Sequence, residues 1–156
     1  MKINNKVILL ASAVLLVVVS GLVVAQQRGA QAKVLVYKTP TCGCCAKWVG
    51  HMEQAGFEVE TRDLDNLAPI KGQYGVQRSF SSCHTAVVDG YIVEGHVPPV
   101  YVKKLLEDRP DVKGITVPGM PIGSPGMEGP NPQAYDVLSF DADGSTAVFA
   151  SVKPGE

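Results

Sequence analysis

Three of the four cysteines in this chain lie within four consecutive positions, at Cys42, Cys44 and Cys45. Cysteines this close together cannot join distant segments, and four cysteines are few for a small fold that is held together by disulfides. The chain must therefore fold around a hydrophobic core. Its clustered cysteines are placed for chemistry rather than for architecture.

The first 25 residues have the pattern of an export signal. Lys2 and Lys6 precede an unbroken run of 19 apolar or small residues that ends at Ala25 with the small-residue pattern of a cleavage site. The run is longer than the usual signal core of about 7–15 residues. It approaches the roughly 20 residues that span a bilayer. Residues 1–25 are therefore predicted to be either a cleaved signal peptide or an N-terminal membrane anchor.

Both alternatives place the rest of the chain outside the cytoplasm, in the periplasm or anchored to the membrane and facing the periplasm or the outside. Residues 7–25 are the predicted membrane contact if the segment is retained. Of the 14 basic residues, 12 remain without the segment, against 15 acidic residues, which argues against nucleic acid as a partner. The cysteines are expected to lie in an oxidising compartment.

Patterns of apolar residues and turn signals predict an α/β fold after a polar linker at 26–32. The predicted elements are a strand at 33–37, a helix at 44–55 capped by Thr41 or Cys42, a strand at 57–61, an irregular helix at 64–74, a hairpin at 85–88 and 91–93, and a helix of about ten residues that begins at Pro98-Pro99. This β-α-β-α-β-β-α order is thioredoxin-like. It puts the cysteine loop at the end of the first strand.

The remainder of the chain is predicted to extend this domain. Residues 114–132 contain five glycines and five prolines, a composition that resists both helix and strand. We therefore predict a thioredoxin-like metal-binding domain at 33–110 and a Pro/Gly/Met-rich loop at 111–132 that covers the site. Strands at 135–140 and 146–152 form a predicted β-hairpin extension at 133–156.

The cysteine spacing predicts a site that binds metal or exchanges disulfides. Cys42 and Cys45 are three residues apart on one helix face, and the helix N-terminus stabilises thiolates there. Cys44 adds a thiol that disulfide exchange does not need and that a metal cluster can use. Cys83 is expected to face the same loop, because the strand that follows it runs antiparallel to the first strand.

The chemical softness of the predicted sulfur ligands favours copper(I) as the bound ion. Thiolate and thioether ligands select copper(I), whereas zinc sites usually show two separated ligand pairs. His96 is expected at the same sheet edge, about 10 Å away. The predicted ligands are Cys42, Cys44, Cys45, Cys83, Met120, Met127, His84 and His96. His51 is predicted to be an exposed surface histidine, and Trp48 to pack in the core or shield the site.

Two alternatives remain open at this stage. The cysteines can instead form ordinary disulfides, for example Cys42 with Cys45 and Cys44 with Cys83. The chain can also be a thiol-disulfide oxidoreductase, with Cys42 as the nucleophile and Cys45 as the resolving thiol. A redox-inert scaffold would have no free thiols, whereas an oxidoreductase would transfer disulfides to other proteins.

Several motifs, taken together and in order, resemble the CopG-like family of exported, thioredoxin-like copper-resistance proteins, long catalogued as a domain of unknown function. The resemblance runs from about Val34 to Glu128 and rests on Thr39–Cys45, Ser82–Thr85, Asp89–Tyr91, Glu94–Pro98, Val117–Pro121 and Gly123–Met127. It implies a thioredoxin-like fold, binding of copper by the clustered cysteines, and a role in copper resistance that includes a change of copper oxidation state. The cysteine loop itself, in which Gly43 lets three sulfurs converge, is expected to hold copper(I) as a multinuclear cluster. Another exported copper-handling protein is the implied partner.

Overall fold

The computed structural model of the protein describes residues 32–155. The predicted signal peptide or anchor at 1–25 therefore lies outside the described residues, as does most of the linker. Among residues 32–155, no helix is long and apolar enough to cross a membrane.

The described residues form seven strands, three α-helices and one short 3-10 turn. In chain order they are β1 (Lys33–Lys38), α1 (Gly43–Gln54), β2 (Glu58–Asp63), α2 (Ala68–Gln73), the 3-10 turn (Arg78–Phe80), β3 (Thr85–Val88), β4 (Tyr91–Glu94), α3 (Pro99–Asp108), β5 (Gly114–Thr116), β6 (Tyr135–Phe140) and β7 (Thr146–Val152). The order of elements from β1 to α3 is the predicted one. The predicted C-terminal hairpin is also present, as β6 and β7.

All seven strands belong to one mixed sheet with the order β2-β1-β3-β4-β5-β6-β7. The β1–β2 and β4–β5 pairs are parallel, and the other neighbours are antiparallel. Tyr37 near the end of β1 pairs with Thr85 at the start of β3, and Thr85 pairs with Glu94 at the end of β4. The end of β1, the start of β3 and the end of β4 therefore lie side by side, at the point where the cysteine loop begins.

Apolar side chains from α1, α3 and the strands form the main core. Trp48 and Met52 of α1 are fully buried in it, together with Val102 and Leu105 of α3. The predicted core position of Trp48 is confirmed. Because Trp48 lies one turn beyond Cys45, core packing also fixes the position of the cysteine-bearing end of α1.

Two sequence predictions need correction. The expectation that residues 114–132 contain neither helix nor strand is wrong at the start, where β5 is held between β4 and β6. Gly114 suits this close packing, because a Cβ atom there would lie 2.0 Å from the carbonyl oxygen of Ile92. The helix predicted at 64–74 covers only Ala68–Gln73, and its first N–H, at Ala68, donates to the Asn66 side chain. The domain boundaries at 110 and 132 stay predictions.

Candidate metal centre

A tight turn places Cys42 at the beginning of α1. The Cys42 N–H donates to the carbonyl of Thr39 at 3.1 Å. Cys42 has an extended backbone and is the N-cap of the helix, and its sulfur accepts the Cys45 N–H at 3.3 Å. One of the two predicted caps is thus confirmed. The first turn of the helix thus directs the Cys45 N–H towards the Cys42 sulfur.

Four sulfur atoms lie together at this helix end. Cys42 and Cys45 form a disulfide. The Cys44 sulfur lies 3.5 Å from that of Cys42, and the Cys83 sulfur lies 3.5 Å from that of Cys45. All four sulfurs are within 4.8 Å of one another. Cys44 and Cys83 are free thiols, so the alternative with a second disulfide between them does not describe this structure.

Cys83 also belongs to a second group of ligand atoms. Its sulfur lies 2.9 Å from Nε2 of His96 and 3.4 Å from Nδ1 of His84. The expected separation of about 10 Å between His96 and the cysteine site is therefore too long. Gly95 explains the difference: it turns the chain after β4 with φ of +74°, and a Cβ atom there would lie 2.5 Å from Cβ of Ser82.

Hydrogen bonding and burial set the protonation states of the Cys83–His96 pair. Nδ1 of His96 lies 2.7 Å from the carbonyl oxygen of Pro125. A carbonyl can only accept, so Nδ1 carries the proton and Nε2 accepts the Cys83 S–H. Burial lowers the pKa of His96. Burial, followed by the negative charge of Cys44, raises the pKa of Cys83 to about 12. Both groups are neutral without a metal, and a metal ion would displace the thiol proton.

His84 is fully buried and has an unpaired nitrogen. Its ring packs against Trp48, with centroids 4.4 Å apart, and edge-on to His96 at 5.0 Å. Its Nε2 has no hydrogen-bond partner among residues 32–155. Burial, followed by electrostatic interaction with His96 and with the Lys71 ammonium, holds the pKa of His84 well below its usual value. A buried nitrogen without a partner is costly, and His84 also lies within ligand distance of Cys83 and His96, so this residue is a candidate metal ligand.

A buried carboxylate supports the strand side of the site. Glu94 is fully buried and accepts the Ser82 N–H at 2.6 Å, the Thr85 hydroxyl at 2.7 Å and the Lys71 ammonium. Its carboxylate therefore holds the backbone on both sides of Cys83 and His84. Burial raises the pKa of Glu94, and the Lys71 charge opposes that rise. Sequence reasoning did not find this pair, and no spacing signal links two residues 23 positions apart.

The loop after β5 lies over the first turn of α1. A Cβ atom on Gly126 would lie 2.5 Å from the Cys44 carbonyl oxygen, so the two segments are in close contact. Glu128 accepts the Gly126 N–H and lies 2.6 Å from Nε2 of His51, both through Oε1. The His51 side chain is 39% exposed. It is thus partly exposed, as predicted, but is also paired.

The structure brings six of the eight predicted ligands together. These are Cys42, Cys44, Cys45, Cys83, His84 and His96. Met127 lines an open cleft of about 460 Å³ beside Cys44. Met120 is 50% exposed and does not line that cleft. The role of all eight as ligands stays a prediction.

Comparison with known proteins shows what this chain is similar to. The family model described as a protein of unknown function, DUF411, matches residues 80–127. Two solved structures of the copper resistance protein CopG, form 1 and form 2, are each 40% identical to this chain with a TM-score of 0.75. They cover 80% and 79% of this chain and 99% of their own.

The chain belongs to the CopG family. The resemblance in the sequence motifs is thereby confirmed. The CopG relatives are named for copper resistance, which connects this chain with the handling of copper. No match was found among curated proteins.

Proposed function

We propose that this protein binds copper(I) through its clustered cysteines and serves copper resistance or homeostasis. The observation that carries the proposal is the shared position of Cys83, whose sulfur belongs both to the four-sulfur group and to the group with His84 and His96. Soft thiolates with neutral imidazoles suit copper(I). Two adjoining ligand groups that share one sulfur also suit a cluster of more than one ion.

The proposed setting follows from the sequence predictions. The protein acts in the periplasm, or anchored to the membrane and facing it, and exchanges copper with another exported copper-handling protein. The unit from β1 to α3 is proposed to be thioredoxin-like, in agreement with its order of elements. Met120 and Met127 remain proposed thioether contacts outside the six clustered ligands.

The disulfide supports a proposed redox step. Two thiolates, Cys42 and Cys45, can give one electron each to two copper(II) ions, which forms the Cys42–Cys45 bond and two copper(I) ions. The remaining sulfurs, Cys44 and Cys83, stay free to bind the product. We expect the fully reduced protein, mixed with copper(II) without oxygen, to lose two thiols for every two copper(I) ions that a colorimetric chelator detects.

Metal binding is tested by native mass spectrometry on protein that has been reduced and loaded with copper(I) without oxygen. We expect the wild type to retain copper, and Cys83→Ser and His96→Gln to retain less. His51→Gln is the matched control, because His51 lies outside the cluster and its side chain is 39% exposed. Failure of the wild type to retain copper, or unchanged retention in Cys83→Ser, would sink the proposal.

A second candidate function is thiol-disulfide exchange with other proteins. The specific observation in its favour is the Cys42–Cys45 disulfide, with Cys42 partly exposed at the N-cap of α1. This candidate predicts insulin-reduction activity that survives both Cys44→Ser and Cys83→Ser. The copper proposal predicts that the same two substitutions reduce copper retention. Measuring both properties on each variant separates the candidates.

A further inference from the structure

The candidate ligands differ in how far they can be reached from solvent. Cys45, His84 and His96 are fully buried, whereas Cys44 is a partly exposed free thiol. Of the four described cysteines, Cys44 alone lines the open cleft of about 460 Å³ between α1 and the loop after β5. An ion that approaches through this cleft meets Cys44 before it meets the buried ligands.

Met127 also lines this cleft. Its N–H donates to Ser124 at 2.8 Å, and its carbonyl accepts the Gly123 N–H at 2.9 Å. The adjacent Gly126 packs directly on the Cys44 carbonyl. These contacts fix the Met127 backbone close to the first turn of α1. Met127 and Cys44, two residues whose side chains carry soft sulfur donors, thus line one solvent-open cleft.

The other residues that line the cleft offer few competing ligands for the ion. Ile122 and Pro130 are apolar, and the charged residues Lys47 and Glu128 are of opposite sign. A hard, oxygen-preferring cation would need several carboxylates or carbonyls, and Glu128 is the one carboxylate that lines the cleft. The donors that remain are the sulfurs of Met127 and Cys44.

We propose that this cleft is the entry and exit site for copper(I), with Met127 as a transient ligand that passes the ion to Cys44. The inference rests on the proposed function. The Met127 thioether binds copper(I) as its carrier ligand leaves, and the Cys44 thiolate then displaces the thioether while its proton goes to solvent. No electron moves, and copper stays copper(I). Once the Cys42–Cys45 disulfide is reduced, the Cys42 sulfur, 3.5 Å from that of Cys44, leads on to the buried ligands.

The test measures the rates of copper transfer in both directions. The reduced, metal-free protein is mixed without oxygen with the coloured copper(I)–bicinchoninate complex, and the loss of colour is followed by stopped flow. Release from the loaded protein to an excess of a stronger chelator is followed separately. We expect Met127→Leu to slow capture and release by the same factor, about tenfold. Copper affinity and stoichiometry should therefore stay unchanged.

Ile122→Val is the matched control, since Ile122 lines the same cleft and carries no sulfur. Its rates should stay within about twofold of the wild type. Unchanged rates in Met127→Leu would overturn the proposal. A lower stoichiometry or affinity in that variant would also overturn it, because Met127 would then be a permanent ligand. If the wild type itself takes up no copper, the proposed function fails, and this result is distinct from the other two.

Discussion

The two halves of the site are built differently. The helix half, Cys42, Cys44 and Cys45, comes from one turn of chain at a helix N-terminus, and Cys42 and Cys44 are partly open to solvent. The strand half, Cys83, His84 and His96, comes from the chain flanking β3 and β4, and its two histidines are fully buried. The first half suits thiol chemistry and exchange of ligands. The strand half offers neutral, desolvated ligands, which gain the most interaction energy when a positive ion binds.

Electrostatics sharpens this contrast. Helix N-termini stabilise thiolates. In the strand half, burial raises the pKa of Cys83 to about 12 and lowers the pKa of both histidines. Binding of a metal at the strand half is therefore coupled to the release of the Cys83 proton. Occupancy of that half should rise with pH.

Trp48 is the residue that joins the halves, and its loss is expected to have the largest effect. Its ring packs against His84, and its Nε1 donates to the Val97 carbonyl at 2.8 Å. Trp48→Ala should lower the free energy of unfolding by about 3–5 kcal/mol, since it empties a fully buried site. Denaturant titration measures the change. Trp48→Phe is the control and should lose less, and a loss below about 1 kcal/mol in the alanine variant would contradict the joining role.

The second prediction disturbs the strand half alone. Glu94→Gln removes the negative charge that faces Lys71. It also replaces one of the two carboxylate oxygens, which accept the Ser82 N–H and the Thr85 hydroxyl, with an amide nitrogen that cannot accept. We expect a loss of about 2–3 kcal/mol in the free energy of unfolding, because these hydrogen bonds to a charged group are buried. Glu58→Gln on the exposed edge strand β2 should change the same quantity by less than about 0.5 kcal/mol.

The same two variants check whether Glu94 positions ligands or only stabilises the fold. Under conditions where both variants remain fully folded, Glu94→Gln should weaken copper retention and Glu58→Gln should not. If Glu94→Gln loses stability but holds copper as tightly as the wild type, the carboxylate has no positioning role. The contrast between the halves would then depend on burial alone.

The helix half was predictable from sequence, and most of the strand half was not. The spacing of Cys42 and Cys45 on a helix start is local information, and so is the extra thiol at Cys44. The prediction that Cys83 faces the cysteine loop came from strand direction alone. The closeness of His96 depends on the turn at Gly95 and on the lack of a side chain there, neither of which a count of strand spacings can reveal.

The fold shows the same division between local and distant information. Strands and helices with clear periodicity, such as β3, β4 and α3, lie close to their predicted positions. The three-residue strand β5 was missed because it lies in a region rich in glycine and proline and its stability comes from neighbours on both sides. The Glu94–Lys71 pair was missed for a related reason, since nothing near either residue in the chain signals the other.

The smallest predicted effect concerns the loop that lies over the helix half. Burial alone would raise the pKa of Glu128, but hydrogen bonds from the Gly126 and Glu128 N–H groups and from His51 lower it from 4.5 to about 2. A carboxylate with a lowered folded-state pKa stabilises the fold above its unfolded pKa. That contribution is lost as pH falls from about 4.5 to about 2.

Glu128→Gln tests this contribution on the metal-free protein. Because the Glu128 side chain is 51% exposed, solvent screens its interactions, and the wild type should exceed the variant by less than about 1 kcal/mol near neutral pH. The difference in the free energy of unfolding should shrink as pH falls through this window. A difference that stays constant with pH would mean that packing, rather than the carboxylate charge, holds the loop on α1. In that case the cleft beside Cys44 would keep its shape in acid.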